Sequence, residues 1–160
     1  MDAIFFSLDQ WFSLATTTAS VGWLILILAP RRTRWIMAIP RFFIPFGMSL
    51  LYAGFAMAYM FTVEGGGFAS LAQVAALFQN KQLLFAGWVH YLAFDLFVGG
   101  WIAVQADQIG VSRLAQVPIL LATFMLGPLG LALFLTVNVI AKLLNKEMLG
   151  AGFGEGVSNR

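Results

Sequence analysis

The feature that most constrains this chain is an apolar run, Leu83–Gln105 (LLFAGWVHYLAFDLFVGGWIAVQ), with a carboxylate set near its middle. About 20 apolar residues are enough to cross a bilayer as a helix. Asp95 sits near the centre of the run, and His90, the only histidine, lies about a turn and a half before it. A carboxyl group at bilayer depth costs from about 2.5 kcal/mol upward, so it persists where it is paired, hydrated or used. Three readings follow. Asp95 and His90 carry out proton chemistry, or they form a buried polar pair that fixes helix packing, or the run does not span.

The rest of the composition favours a membrane chain. Of 160 residues, 61% are hydrophobic and 10% charged, and the mean hydropathy is +0.88. Soluble domains are about 25% charged. A net charge of +2, with no basic stripe among aromatics, argues against a nucleic-acid partner. Without cysteine there is no disulfide framework, thiolate nucleophile or thiolate-ligated metal. One histidine and few acidic residues give no expected metal site. The glycine-rich segments are no nucleotide fingerprint, because none follows a strand and opens a helix. No cofactor is expected. Asp2 and Asp9 stand where a signal peptide would be basic, so the first apolar stretch is expected to stay as an anchor.

The pattern predicts an all-α integral membrane four-helix bundle in one domain over residues 1–148, with spans at about 5–29, 42–63, 83–105 and 117–141. Leu71, Val74, Leu77 and Phe78 recur at helical spacing behind Ser70, a candidate N-cap, and predict a short interfacial helix over 68–79. Ala29-Pro30 ends the first span. In the fourth, Gly127-Pro128-Leu129-Gly130 predicts a kink that deprives the Phe124 carbonyl of its helical donor. Residues 149–160 are glycine-rich and predicted to be a flexible tail. Arg31, Arg32, Arg34 and Arg41 form the densest basic cluster and set the first connection in the cytoplasm. Both termini of a multi-pass bacterial inner-membrane protein would then be periplasmic. The basic residues divide as five inside (Arg31, Arg32, Arg34, Arg41, Arg113) and four outside (Lys81, Lys142, Lys146, Arg160).

On a helical wheel at about 100° per residue, Asp95 shares a face with Trp88 and Tyr91, and His90 shares one with Phe94 and Trp101. The two faces are about 140° apart, so both groups line one cavity only if it lies over Gly87, Tyr91, Phe94 and Val98. That requires a central third span. Matching depths suggests Thr16–Ser20, Ser49, Tyr52 and the Gly127-Pro128 kink as neighbours of Asp95. A neutral carboxylic acid and a neutral imidazole are a plausible acid and base for a proton-in, proton-out isomerisation. The candidate catalytic residues are therefore His90 and Asp95. Trp88, Tyr91, Phe94, Tyr52 and Trp101 are candidates for binding substrate. The 16 Phe, 5 Trp and 3 Tyr suit lipid contact and interface belts, and equally the lining for a flat polyene.

Trp88, His90 and Asp95, followed by Leu96-Phe97 and later by Gly127-Pro128-Leu129-Gly130, resemble the abscisic-acid-deficient-four-like membrane proteins. The resemblance runs from the first span to the Gly-Pro kink. Plastid members are required for neoxanthin formation from violaxanthin, which implies an epoxide-opening rearrangement of a carotenoid end group without net redox change. Gly100 and Gln105 depart from the family pattern, in which Arg and an acidic residue are common. The resemblance therefore carries association with lipid or carotenoid further than it carries the reaction. Two functions stand: a cofactor-free carotenoid or isoprenoid isomerase, and a non-catalytic small subunit of a membrane complex, pigment-containing or photosynthetic. The partners expected are membrane lipid and a carotenoid-like polyene, with a homo-oligomer or larger membrane complex left open. A proton conductor would need a polar file inward from Asp95, where Val98, Ile102 and Ala103 are apolar.

Overall fold

The computed structural model describes residues 7–155, with side chains through Leu144. Every regular element among the described residues is helical, and there are no strands. The first helix, α1 (Leu8–Leu28), opens on a capping box: Ser7 Oγ accepts from Gln10 N–H, and Gln10 Oε1 accepts from Ser7 N–H at 2.7 Å. It ends at Ala29, which is extended as expected of a residue before proline.

The second span starts earlier than the expected Phe42. It comprises α2 (Arg34–Ala38), a π-helical turn at Ile39–Phe43, α3 (Ile44–Tyr59) and a 3-10 turn at Met60–Thr62. Pro40 lacks an N–H and would clash with the carbonyl four residues back. The chain absorbs this by widening a turn, and Ile44 N–H bonds back to Ile39 O. Arg34 and Arg41 therefore ride on helix, not on a loop. Next comes α4 (Leu71–Gln79), three residues shorter at its start than expected and capped by Ser70, whose Oγ accepts from Gln73 N–H at 3.3 Å.

The long helix α5 (Lys81–Gln108) contains the Asp95 run. Among the described residues three helical stretches are long and apolar enough to cross a membrane: Leu8–Leu28, Arg34–Thr62 and Lys81–Gln108. This is a membrane protein. Within its most apolar 18 residues the last of these stretches is 56% buried, against 28% and 22% for the others, so α5 is the most buried of the three.

The expected fourth span is not one helix. It divides into α6 (Arg113–Leu126) and α7 (Pro128–Glu155). Pro128 was expected to bend a continuous span. Instead Gly127 takes φ +24° and ψ −81°, a conformation open to glycine, and the helix stops there. Pro128 then stands at the first position of a new helix, where its missing N–H costs nothing. Helix α7 also runs through residues 149–155, where the sequence predicts a tail without structure; residues 156–160 lie outside the described residues.

The chain packs as two compact units, Met1–Gly100 and Trp101–Arg160. The core of the first joins Ala15 and Ala19 of α1, Met48 of α3, and Phe85, Val89, Leu92 and Ala93 of α5. Small residues let α1 approach α5. A methyl group at Gly99 would overlap the outer edge of the Trp23 ring, and one at Gly22 would press on Leu96. In the second unit, Gln116 is fully buried, and its Nε2 donates to Asp107 Oδ1 (2.9 Å) and Val111 O (2.7 Å), pinning the start of α6 to the end of α5.

Candidate functional site

Helix α5 turns one sector away from the core. His90, Phe94 and Phe97 are exposed, the latter two at 55% and 51%; Trp88 is also exposed, and Gly87, Tyr91 and Val98 are half-buried. At about 100° per residue these residues form one continuous face centred on Gly87, Tyr91, Phe94 and Val98. This is the sector over which His90 and Asp95 can serve one site. His90 lies at one edge of the face and Asp95 at the other.

The His90 edge meets α3. The imidazole stacks on Phe94, with ring centroids 4.4 Å apart and planes at 26°, and sits 5.2 Å from the Tyr52 ring. Two cavities lie along this α3–α5 seam. The one at the Arg41 end, about 340 Å³, is lined by Arg41, Phe42, Pro45, Phe46, Ser49 and Ala93, with Phe94 and Phe97. The one at the α4 end, about 240 Å³, has Tyr52, His90 and Gly87 on its walls together with Phe68, Leu77 and Phe78. The stacked His90–Phe94 pair stands between them. Arg41 reaches its place because Gly100 has no side chain: a Cβ there would meet Arg41 Cγ at 2.9 Å.

The Asp95 edge meets α1. Asp95 is only 9% exposed. The Tyr91 hydroxyl hydrogen-bonds its carboxyl, while its Oδ2 is buried with no hydrogen-bond partner among the described residues. Tyr91 stacks on Trp88 at 5.4 Å, and Trp88 stacks on Phe12 at 5.7 Å. The Trp88 Nε1–H donates to Thr16 Oγ1 at 3.1 Å. Thus Thr16 is bound into the site, whereas Ser20 and Ser49 return their hydroxyls to the carbonyls of Thr16 and Pro45 on their own helices.

Of the residues singled out from sequence, Tyr52, His90 and Phe94 form one cluster, and Trp88, Tyr91 and Asp95 form another. His90 and Asp95 occupy opposite edges of the exposed face, about 7.5 Å apart in height on α5. Trp101 belongs to the second unit and packs edge-on against Phe134 at 5.4 Å. Sequence reasoning missed Arg41 as a wall of the 340 Å³ cavity, because it placed that residue on a loop. Pro40, one residue earlier, gave no sign that the helix would continue through it as a π turn.

The residues of this face lie inside a family match. Over residues 10–134 the chain matches the family described as ABA DEFICIENT 4-like. No curated protein and no solved structure matches it. The match takes in α1, α3, α5, α6 and the Gly127 break, most of the chain, and the protein belongs to the ABA DEFICIENT 4-like family.

Proposed function

We propose that the protein binds a carotenoid or similar isoprenoid polyene along the exposed face of α5 and isomerises it by proton exchange. One observation carries the reading: an aromatic-walled seam, open on its outer side, has His90 at mid-length and the Tyr91–Asp95 pair across the same helix face. Flat conjugated chains stack on such walls. The family's association with carotenoid metabolism gives the ligand class. Arg41 at the inner end suits an end group that carries an acceptor oxygen.

In this reading His90 removes a proton from the polyene end group. Tyr91 delivers one at the other end of the shifted double bond and is reprotonated by Asp95. One proton leaves the substrate and one arrives, and the cycle closes when His90 releases its proton to water and Asp95 takes one up from water, so no oxidant, reductant or cofactor enters the balance. General acid–base groups of this kind contribute about 10²–10⁴-fold each.

The test is pigment analysis of protein purified from carotenoid-producing membranes, followed by turnover assays on the pigment recovered. Phe94→Ala should lower pigment occupancy. His90→Gln should keep occupancy and lose conversion by about 10²-fold or more. Protein that neither co-purifies with a polyene nor takes one up on incubation would overturn the reading. A second reading, a non-catalytic subunit of a membrane complex, is favoured by the burial of Asp95. It expects pigment or partner subunits in fixed ratio and no conversion by wild type.

A further inference from the structure

We infer that α6 and α7 form a re-entrant hairpin, which enters the membrane from the side of the 109–112 connection, turns at Gly127 and leaves by that same side. This inference does not rest on the proposed ligand.

The first observation is a backbone contact. A Cβ built on Gly130 would overlap the backbone N and Cα of Thr123 as well as its Oγ1. In a straight helix two residues seven apart are about 10.5 Å apart along the axis. Here the two backbones touch, so the chain has folded back on itself across the Gly127 turn.

The second observation is the place of Phe134. The Gln116–Asp107 bond sets the levels of α5 and α6. Trp101 lies six residues, about 9 Å, before Asp107, level with a point on α6 near residue 122. Were α7 to carry on in the direction of α6, Phe134 would lie about 18 Å beyond that level. Instead its ring is fully buried, 5.4 Å from the Trp101 ring and perpendicular to it. Length agrees. Helix α6 has 14 residues, about 21 Å, against an apolar core of about 30 Å.

Charge supplies an independent argument. With a continuous fourth span, Lys142, Lys146 and Arg160 would face the side opposite Arg31, Arg32, Arg34, Arg41 and Arg113, a near-even split of the nine basic residues. The hairpin moves Lys142 and Lys146, which lie on α7, to the arginine side, so that among the basic residues of the described helices Lys81 alone stays on the other. A strong excess of Lys and Arg on one side is the pattern of the cytoplasmic face. The C-terminal end of α7 is therefore cytoplasmic, opposite to the side expected from four spans.

The chain has no cysteine, so an introduced thiol reports alone. Single variants Glu64→Cys, Gln108→Cys, Lys142→Cys and Lys146→Cys are expressed, and sealed vesicles of each orientation are treated with a membrane-impermeant maleimide. Glu64→Cys marks the outer side and Gln108→Cys the side of the 109–112 connection. Lys146→Cys should be modified in the same vesicles as Gln108→Cys and protected in those where Glu64→Cys reacts. Modification together with Glu64→Cys would overturn the hairpin. If Lys146→Cys does not accumulate, Lys142→Cys gives the same reading about one turn earlier.

Discussion

Asp95 holds the least satisfied buried atom of the exposed α5 face. Its carboxyl has one described partner, Tyr91, and its Oδ2 has none. Two substitutions separate what such a group can do. Asn keeps the shape and can accept from Tyr91 but offers no proton in the useful range. Asp95→Asn is therefore expected to melt within a few degrees of wild type in detergent and to lose turnover by about 10²-fold or more. Asp95→Leu removes the acceptor altogether and strands the Tyr91 hydroxyl, at about 0.6–1.7 kcal/mol for a hydrogen bond within a membrane protein. Melting curves and product analysis of the three proteins check this, and an Asn variant with full turnover would leave Asp95 a packing centre. At this scale the sequence was informative because chemistry at bilayer depth is conspicuous: one carboxyl and one imidazole in an apolar run invite attention. The partners were less legible. Thr16, one of three consecutive threonines, is the one that meets Trp88, and only the rotation of α1 against α5 selects it.

Helix contacts set that rotation, and glycine sets the contacts. Gly99 admits the Trp23 ring and Gly130 admits the backbone of Thr123. These differ in what can yield. At Gly99 the obstacle is a side chain, so Gly99→Ala should cost about 1–3 kcal/mol, as overpacking does. Trp23→Phe in the same protein should recover part of that loss. At Gly130 the obstacle is backbone, and no partner substitution relieves it. Gly130→Ala should thus be the more damaging change, and no substitution at Thr123 should rescue it. Denaturation midpoints of the single and double variants would decide. Elements were legible to the extent that they follow hydrophobic length and caps. Ser70 caps α4 as its spacing implies, and the three long spans lie where the apolar runs are. Proline was an uneven guide. Ala29-Pro30 ends α1 as its usual effect implies, whereas Pro128 did not kink a helix, because Gly127 had already ended it, and Pro40, which carried no expectation, sits within a helix because a π turn absorbs it. A positive φ at one glycine is not written in hydropathy.

For the molecule as a whole, the two seam cavities are volumes that the chain itself leaves unfilled, and a ligand filling them adds stability by mass action. A polyene at 100-fold its dissociation constant should add about 2.7 kcal/mol, visible as a higher midpoint in a detergent melt that rises with ligand concentration. Phe94→Ala should blunt that rise. No shift with any carotenoid or prenyl lipid would speak against an occupied seam. The first unit also has a history in time. Trp23 lies in α1, and the notch that receives it, Gly99, is made about 75 residues later. At roughly 5–20 residues per second the interval is about 4–15 s. Until then the outer edge of the indole lacks the notch it fills in the finished unit. The Trp23–Gly99 pair is therefore one of the last contacts of that unit to form during synthesis, and a ribosome stalled before Gly99 would hold a first helix that has its partners in the second span but not yet its seat on the end of α5.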